Sequence, residues 1–226
     1  VGRLGGDEFA LLLRGDEAQV SAVADAVLDA MSPPMLLDGS ELRVECSLGV
    51  VHRREASSLS DMMRRADVAM YAAKADGGSR WAGYQPEMSA ALLKRMDLRS
   101  QLVVALERDE LVPWFQPVVD LETGELVGCE ALARWCRRGR PAEGPGEWMA
   151  LAEETGLIVD IDRSLVGQAI REFAGWRAVS PDAREMELAL NVSGRTLQDP
   201  GLPEHLLGLL SDLRVPPSRL LLEVTE

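Results

Sequence analysis

The sequence is poor in the residues that build several common kinds of functional site. Its 226 residues include 2 His, 3 Cys and 4% aromatic side chains. His52 and His205 lie far apart and outside the HExxH spacing of zinc proteases. The cysteines form no CxxC pair and leave an odd count, so a zinc knuckle or a disulfide framework is not expected. Reduced thiols in the cytoplasm are the simpler interpretation.

Basic residues and long apolar runs are also scarce. The 24 Lys and Arg face 37 Asp and Glu, which gives a formal net charge of -13. No excess of cations exists to displace counterions from DNA or RNA, so a nucleic-acid polymer is not expected as the partner. A small nucleotide remains compatible, because metal ions and one or two local cations can hold its phosphates. No apolar run reaches the ~18 residues of a membrane span, so this segment predicts no membrane contact.

Hydrophobic residues make up 46% of the chain, which predicts a packed core. Apolar segments of strand length alternate with longer helical patterns, which indicates an α/β fold. We predict three regions: a first domain over residues 1–85, a linker helix over residues 86–110 and a second domain over residues 111–226. In the first domain the pattern predicts strands at residues 42–51 and 80–84, and a helix that Ser60 caps.

In the second domain, three predicted strands end on an oxygen-bearing side chain: Glu130, Asn191 and Glu223. The carboxyl ends of barrel strands bring distant side chains to one mouth. Two carboxylates and an amide suit Mg²⁺ or Mn²⁺ better than zinc. Each residue alone is also compatible with a solvated loop position or a helix cap. Taken together, the pattern favours a divalent-metal phosphohydrolase.

Five segments of the second domain, in order, resemble the motifs of EAL domains. They are residues 114–120 (WFQPVVD), 128–135 (GCEALARW), 145–156 (ending LAEETG), 191–193 (NVS) and 223–226 (EVTE). Each string is weak by itself, but five in the right order and spacing leave chance negligible. The resemblance implies a TIM-like (β/α) barrel that hydrolyses one phosphodiester bond of cyclic di-GMP, giving pGpG, with two divalent cations.

The same resemblance implies a role for individual residues. Glu130, Asn191 and Glu223 would bind metal, and Glu226 would be a catalytic carboxylate that steadies a downstream loop. The dinucleotide site would be lined by Gln116, Leu132 and Arg134, with Arg134 on a phosphate. The family's Asp-Asp pair, catalytic Lys and last metal-binding Glu would follow Glu226. We therefore expect the sequence to be a piece of a longer chain, inactive and poorly stable alone because its strands are left open.

The first domain resembles GGDEF domains in three segments: residues 5–9 (GGDEF), 46–50 (CSLGV) and 65–74 (RADVAMYAAK). The resemblance implies the C-terminal half of a palm-like α/β domain that joins two GTP molecules across a homodimer. Gly5 and Gly6 would let the backbone approach the nucleotide. Asp7 would bind metal with catalytic help from Glu8, and Lys74 would hold the triphosphate.

The first domain departs from the GGDEF pattern at one position. Gly78 stands where a triphosphate-binding Arg is expected, and Arg80 is displaced by two residues. The cyclase is therefore expected to be weak, or the domain to be a GTP-binding regulator.

The two resemblances together predict a cytoplasmic signalling protein that turns over cyclic di-GMP, chiefly by hydrolysis in the second domain. A catalytically silent receptor for cyclic di-GMP or GTP is the main alternative, with signals passing through the linker helix. Three intact metal ligands weigh against it, because a pure binder has less need of them. A third alternative, an active cyclase beside an idle EAL domain, is disfavoured by Gly78. A membrane or sensor region upstream would be compatible with all three.

Overall fold

A computed structural model describes residues 1–37 and 39–225 of the chain. The chain divides into two compact units, Val1–Lys94 and Arg95–Glu226. Both units mix helices and strands, so the α/β class expected from the sequence is confirmed. The finer division, with limits at residues 85 and 110, stays a prediction. No described helix is long and apolar enough to cross a membrane.

The described residues of the first unit that precede Pro86 form three pairs of short strands and two longer helices. In chain order they are β1 (Gly2–Gly5), β2 (Glu8–Ala10), α1 (Glu17–Met31), β3 (Met35–Leu37), β4 (Ser40–Leu42), β5 (Leu48–Val50), α2 (Leu59–Ala75) and β6 (Trp81–Gly83). Strands β1 and β2, and likewise β3 and β4, pair antiparallel as hairpins. Strands β5 and β6 pair in parallel, and α2 packs on both.

The predicted strand over residues 42–51 is wrong in its extent. The structure has two strands there, with β4 ending at Leu42 and β5 beginning at Leu48. The two are separate because they pair with different partners: β4 turns back onto β3, while β5 pairs with β6. Gly49 in β5 lets this strand press on helix α2, where an added Cβ would lie 1.8 Å from the Ala66 carbonyl oxygen.

The N-cap of helix α2 lies two residues before Ser60, the cap predicted from the sequence. Ser58 is the N-cap, and its hydroxyl accepts a hydrogen bond from the Asp61 backbone N–H at 3.1 Å. The Asp61 carboxyl group in turn accepts from Ser57 N at 3.1 Å and from Arg65 Nε at 3.0 Å. An acid at this third helical position reinforces the start of the helix, because it faces the unpaired amides of the first turn.

The second unit is built on one four-stranded sheet with helices against one of its faces. Helix α3 (Pro86–Glu107) leads into it, close to the predicted linker helix. The elements that follow are β7 (Leu111–Val119), β8 (Leu126–Trp135), α4 (Gly146–Thr155), α5 (Ile158–Val179), β9 (Glu187–Ser193), α6 (Gly194–Leu197), α7 (Leu202–Asp212) and β10 (Leu220–Thr225). Leu102 of α3 is buried, whereas Met96 of the same helix is 59% exposed.

The order of strands in this sheet is β7-β8-β9-β10. Strands β8, β9 and β10 are parallel neighbours, as the alternation of strands and helices predicts. Strand β7 departs from this rule, because it joins β8 through a short turn and pairs antiparallel along its length. Among the described residues the sheet is open, with β7 and β10 at its edges, so closure into a barrel stays a prediction.

The segment over residues 145–156 forms helix α4 and packs into the core of this unit. Helix α4 ends at Gly156, which adopts a left-handed φ of +79° that suits glycine. Trp148 and Leu151 of α4 are buried in a core that also contains Trp135 of β8. The Trp135 and Trp148 rings meet edge to face with centroids 6.2 Å apart. This motif therefore anchors α4 beneath the strand that contributes Glu130.

Candidate active site

The side chains of strand β8 alternate between the core and the candidate site. Cys129 and Ala131 are buried in the core between the sheet and helix α5. Glu130, Leu132 and Arg134 alternate with them and are half-buried. Because successive side chains of a strand lie on opposite faces, these three share the face away from the helices.

The sequence predicts Glu130 at the end of its strand, and this prediction is wrong. Glu130 lies in the middle of β8. The sequence pattern predicts a strand that ends on Glu130, whereas β8 continues to Trp135. The extension follows from the antiparallel partner, because β7 pairs with β8 from Val119 as far as the Leu111–Trp135 pair. Glu130 therefore has a rigid strand on both sides, which fixes its side chain more firmly than a loop would.

The structure brings the three predicted metal ligands together on adjacent strands. Glu130 is in register with Ala189 of β9, so Asn191 lies two residues further along the same face. The Asn191 amide Nδ2 donates to Glu130 Oε1 at 2.7 Å, which leaves Asn191 Oδ1 for another partner. On the other side, Asn191 is directly in register with Glu223 of β10.

These three side chains offer hard oxygen atoms and differ in their exposure to solvent. Glu130 and Asn191 are half-buried, and Glu223 is exposed. Such a set fits a divalent cation of the Mg²⁺ or Mn²⁺ kind, which carboxylate and amide oxygens bind well. Over residues 1–37 and 39–225 no cluster of three or more His, Cys, Asp or Glu is found, and the set here consists of two carboxylates and an amide. Glu226, predicted as a catalytic carboxylate, lies outside the described residues.

The predicted nucleotide-binding residues lie on the same sheet face. Gln116 of β7 is directly opposite Glu130, and Trp114 is opposite Leu132. The Arg134 guanidinium lies over the Trp114 ring, 5.7 Å from its centroid. Its Nη1 also donates to the backbone oxygen of Ala133 at 2.8 Å. The face thus combines an amide, an arginine and acidic side chains within one short region.

A buried polar network behind this face was not predicted from the sequence. Asp162 of α5 is 5% exposed, and its Oδ2 accepts from Ser193 N at 2.9 Å and from Thr196 Oγ1 at 2.6 Å. The Ser193 and Thr196 hydroxyls are 2.9 Å apart. The network fixes the corner between β9 and α6, two residues after Asn191. An acid on the apolar face of α5, four residues after the buried Ile158, is the signal that could have found it.

The GGDEF pentapeptide forms the tip of the β1–β2 hairpin. Gly5 pairs with Glu8, and Gly6 takes a φ of +53° in the turn before Asp7. Arg3 Nε and Nη2 donate to the Gly6 carbonyl at 3.0 and 2.7 Å, which ties the tip to the strand below it. Asp7 and Glu8 are exposed at this tip.

The structure does not join the hairpin tip to Lys74. Lys74 is exposed in the last turn of α2, which packs on the separate β5–β6 pair. Within the part of the chain that is described, no hydrogen bond or ion pair links Lys74 to Asp7 or Glu8. Gly78, where the family pattern has an arginine, is buried with a φ of +66°.

Comparison with known sequences finds the two predicted families in the predicted order along the chain. The EAL domain family matches residues 99–226, and the GGDEF domain (diguanylate cyclase) family matches residues 1–80. The chain is 33% identical over 228 residues to the bifunctional diguanylate cyclase/cyclic di-GMP phosphodiesterase MucR of Pseudomonas aeruginosa. It is also 33% identical over 226 residues to the cyclic di-GMP phosphodiesterase PdeR of Escherichia coli.

Both matches cover nearly all of this chain but a minor part of the relatives. They span 100% and 99% of it, and 33% and 34% of MucR and PdeR, so the chain is about a third of their length. Among solved structures, the PaMucR phosphodiesterase in complex with c-di-GMP aligns with a TM-score of 0.53 at 35% identity. That alignment covers 57% of this chain and 52% of PaMucR.

Proposed function

Since the chain belongs to the EAL domain family and has a GGDEF segment before it, we propose that its parent protein turns over cyclic di-GMP. The EAL unit hydrolyses cyclic di-GMP to pGpG, and this is the principal activity. The observation that supports the proposal best is the joint placement of Glu130, Asn191 and Glu223 on three adjacent strands, with the 2.7 Å bond between the first two. The substrate is inferred from the relatives that are named cyclic di-GMP phosphodiesterases.

In this proposal Glu130, Asn191 and Glu223 hold divalent cations, Mg²⁺ or Mn²⁺, through their oxygen atoms. Bound cations of this kind polarise a phosphoryl group and lower the pKa of a bound water. Asn191 also keeps Glu130 oriented through its Nδ2 donor, so that both side chains present a fixed pair of oxygens. Loss of either partner would therefore loosen the other.

The other residues on this face bind and orient the dinucleotide. Arg134 can pair with a phosphate through its guanidinium, which forms short charge-assisted hydrogen bonds with phosphate oxygens. Gln116, opposite Glu130, offers both a donor and an acceptor to the ligand. Leu132 adds an apolar contact between them. Each of these side chains lies on a strand, so little ordering is needed when the ligand binds.

For the GGDEF unit we propose GTP binding with weak or absent cyclase activity. Asp7 and Glu8 lie on an exposed hairpin tip that Gly5 and Gly6 keep narrow, which suits close approach of a triphosphate and its metal. Lys74 supplies one cation, and Gly78 removes a second. A homodimer and a cytoplasmic location belong to the same proposal, the latter because Cys46, Cys129 and Cys136 are free thiols.

The test is hydrolysis by the full-length protein, with pGpG measured by chromatography in the presence of Mg²⁺ or Mn²⁺. Glu130→Gln removes a ligand charge while keeping the side chain's size, and we expect kcat to fall by at least about 100-fold. Glu125→Gln, at an exposed acid just before β8, is the matched control and keeps wild-type turnover. Unchanged turnover in Glu130→Gln contradicts the metal assignment.

The same experiment separates the enzyme from the silent receptor. A receptor binds cyclic di-GMP but forms no pGpG with either cation, and Glu130→Gln then changes nothing in the chromatogram. Isothermal titration with cyclic di-GMP detects such binding directly. Hydrolysis by the wild type above that of Glu130→Gln rejects the receptor.

A further inference from the structure

Trp114 is a large aromatic side chain that the core of its unit does not use. It is 52% exposed, whereas Trp135 and Trp148 are 1% and 3% exposed. The buried pair also donate their indole N–H groups, to Glu110 and Gly144. In the described part of the chain no acceptor is found for the Trp114 N–H. An exposed indole leaves a large apolar ring in contact with water without adding to the core.

The position of Trp114 on the sheet is at the candidate active site. It lies opposite Leu132 and two residues from Gln116, on the face that contains Glu130. Because β7 runs antiparallel to β8, moving from Gln116 back to Trp114 leads toward the carboxyl end of β8. That is the end of a parallel sheet at which ligands bind in α/β proteins.

Trp114 and Arg134 form a pair suited to a nucleotide. The guanidinium lies 5.7 Å from the ring centroid, within the range of a cation–π contact. A nucleotide presents an anionic phosphate and a flat aromatic base within a few ångströms of each other. An arginine beside a half-exposed indole offers one contact for each, and bases of any kind stack on aromatic rings.

We infer that the Trp114 ring forms a wall of the substrate site and contacts a purine base of the bound dinucleotide. The inference rests on the proposed function, because it names a subsite of the same site. Its contribution is to binding in both the ground state and the transition state, so it affects KM and leaves kcat nearly unchanged.

The test is steady-state hydrolysis of cyclic di-GMP by the full-length protein. Trp114→Leu keeps an apolar side chain but removes the π face, and we expect KM to rise about tenfold to a hundredfold with kcat within about twofold. Trp114→Phe restores an aromatic face and keeps KM within about threefold of the wild type. Val118→Ala, an exposed residue further along the same strand, is the control and keeps both constants.

A second comparison separates contact with the base from support of Arg134. In an Arg134→Ala background, Trp114→Leu raises KM by the same factor if the ring contacts the ligand directly. If the second substitution has no further effect there, Trp114 acts only through Arg134, and the inference is overturned. Unchanged KM in Trp114→Leu overturns it as well.

Failure of the inference differs from failure of the proposed function. A wild-type protein that hydrolyses cyclic di-GMP, with Trp114→Leu unaltered, removes only the role of Trp114. A wild type that binds but does not hydrolyse makes Kd the quantity to compare, with the same expected ratios. A wild type that neither binds nor hydrolyses refutes both.

Discussion

The corner between β9 and α6 depends on a single buried side chain, so Asp162→Ala should loosen it strongly. Asp162 accepts two hydrogen bonds, from Ser193 N and from the Thr196 hydroxyl. After truncation the buried Ser193 N–H has no acceptor, which costs about 1–3 kcal/mol. The Thr196 hydroxyl retains Ser193 Oγ, so its lost bond costs about 1 kcal/mol more. The free energy of local opening should therefore fall by about 2–4 kcal/mol.

Native-state hydrogen exchange measures this change where it occurs. A loss of that size lowers the protection of the amides at residues 193–197 roughly 30-fold to 700-fold. Asp162→Asn keeps a carbonyl acceptor at nearly the same place, so its loss should stay near 1 kcal/mol. Asp160→Ala, an exposed acid on the same helix, is the matched control and leaves this segment unchanged.

The catalytic consequence of Asp162→Ala follows from the distance along β9. Asn191 lies two residues before Ser193, so a loosened corner spreads the positions of the Asn191 amide and weakens its bond to Glu130. We expect kcat for cyclic di-GMP to fall in Asp162→Ala, and Asp162→Asn to recover most of it. Wild-type protection at residues 193–197 in Asp162→Ala would refute the reasoning, whatever the activity.

Other predictions concern packing and protonation. Gly49→Ala places a Cβ 1.8 Å from the backbone of α2. The free energy of unfolding of the first unit, measured by urea titration, should therefore fall by an amount at or above the upper end of about 1–3 kcal/mol. Gly2→Ala is the control, because the space around Gly2 is open and its stability should not change. Burial raises the pKa of the Cys129 thiol to about 11, so iodoacetamide at pH 8 should label it far more slowly than the two half-buried cysteines; equal rates would contradict its burial. The side-chain hydrogen bond from Arg65, ahead of other contacts, holds the pKa of Asp61 well below its usual range. Its stabilising effect should therefore be complete above about pH 4 and lost as the pH falls further, and Asp61→Asn should flatten this acid dependence.

The site could be predicted from sequence to the extent that strand period and order determine it. Glu130, Leu132 and Arg134 share a face because they alternate along one strand, and any strand there gives that result. The nearness of Asn191 and Glu223 follows from parallel neighbours that end at one edge. The roles of these residues came from the family resemblance, and only the experiments above test them.

Features that depend on contacts between distant segments could not be predicted. The length of β8 depends on its pairing with β7, which is why the sequence pattern alone ends this strand at Glu130. Asp162 reads as one more polar residue of a helix until the fold brings Ser193 to it, 31 residues later in the chain. Both Ser58 and Ser60 are suitable N-cap residues, and the structure has Ser58 as the cap because its hydroxyl accepts the hydrogen bond from the Asp61 backbone N–H.

The reversed direction of β7 determines which of its residues can reach a ligand. In a strand parallel to β8, the residues after Gln116 would lie toward the carboxyl edge, and Val118 would lie nearest the ligand. In the antiparallel arrangement Trp114 takes that place, and Val118 pairs with Gly128 on the opposite side of Glu130. Comparison of Trp114→Leu with Val118→Ala therefore tests topology as well as chemistry. A raised KM in Val118→Ala alone would contradict the placement of Trp114 nearest the ligand.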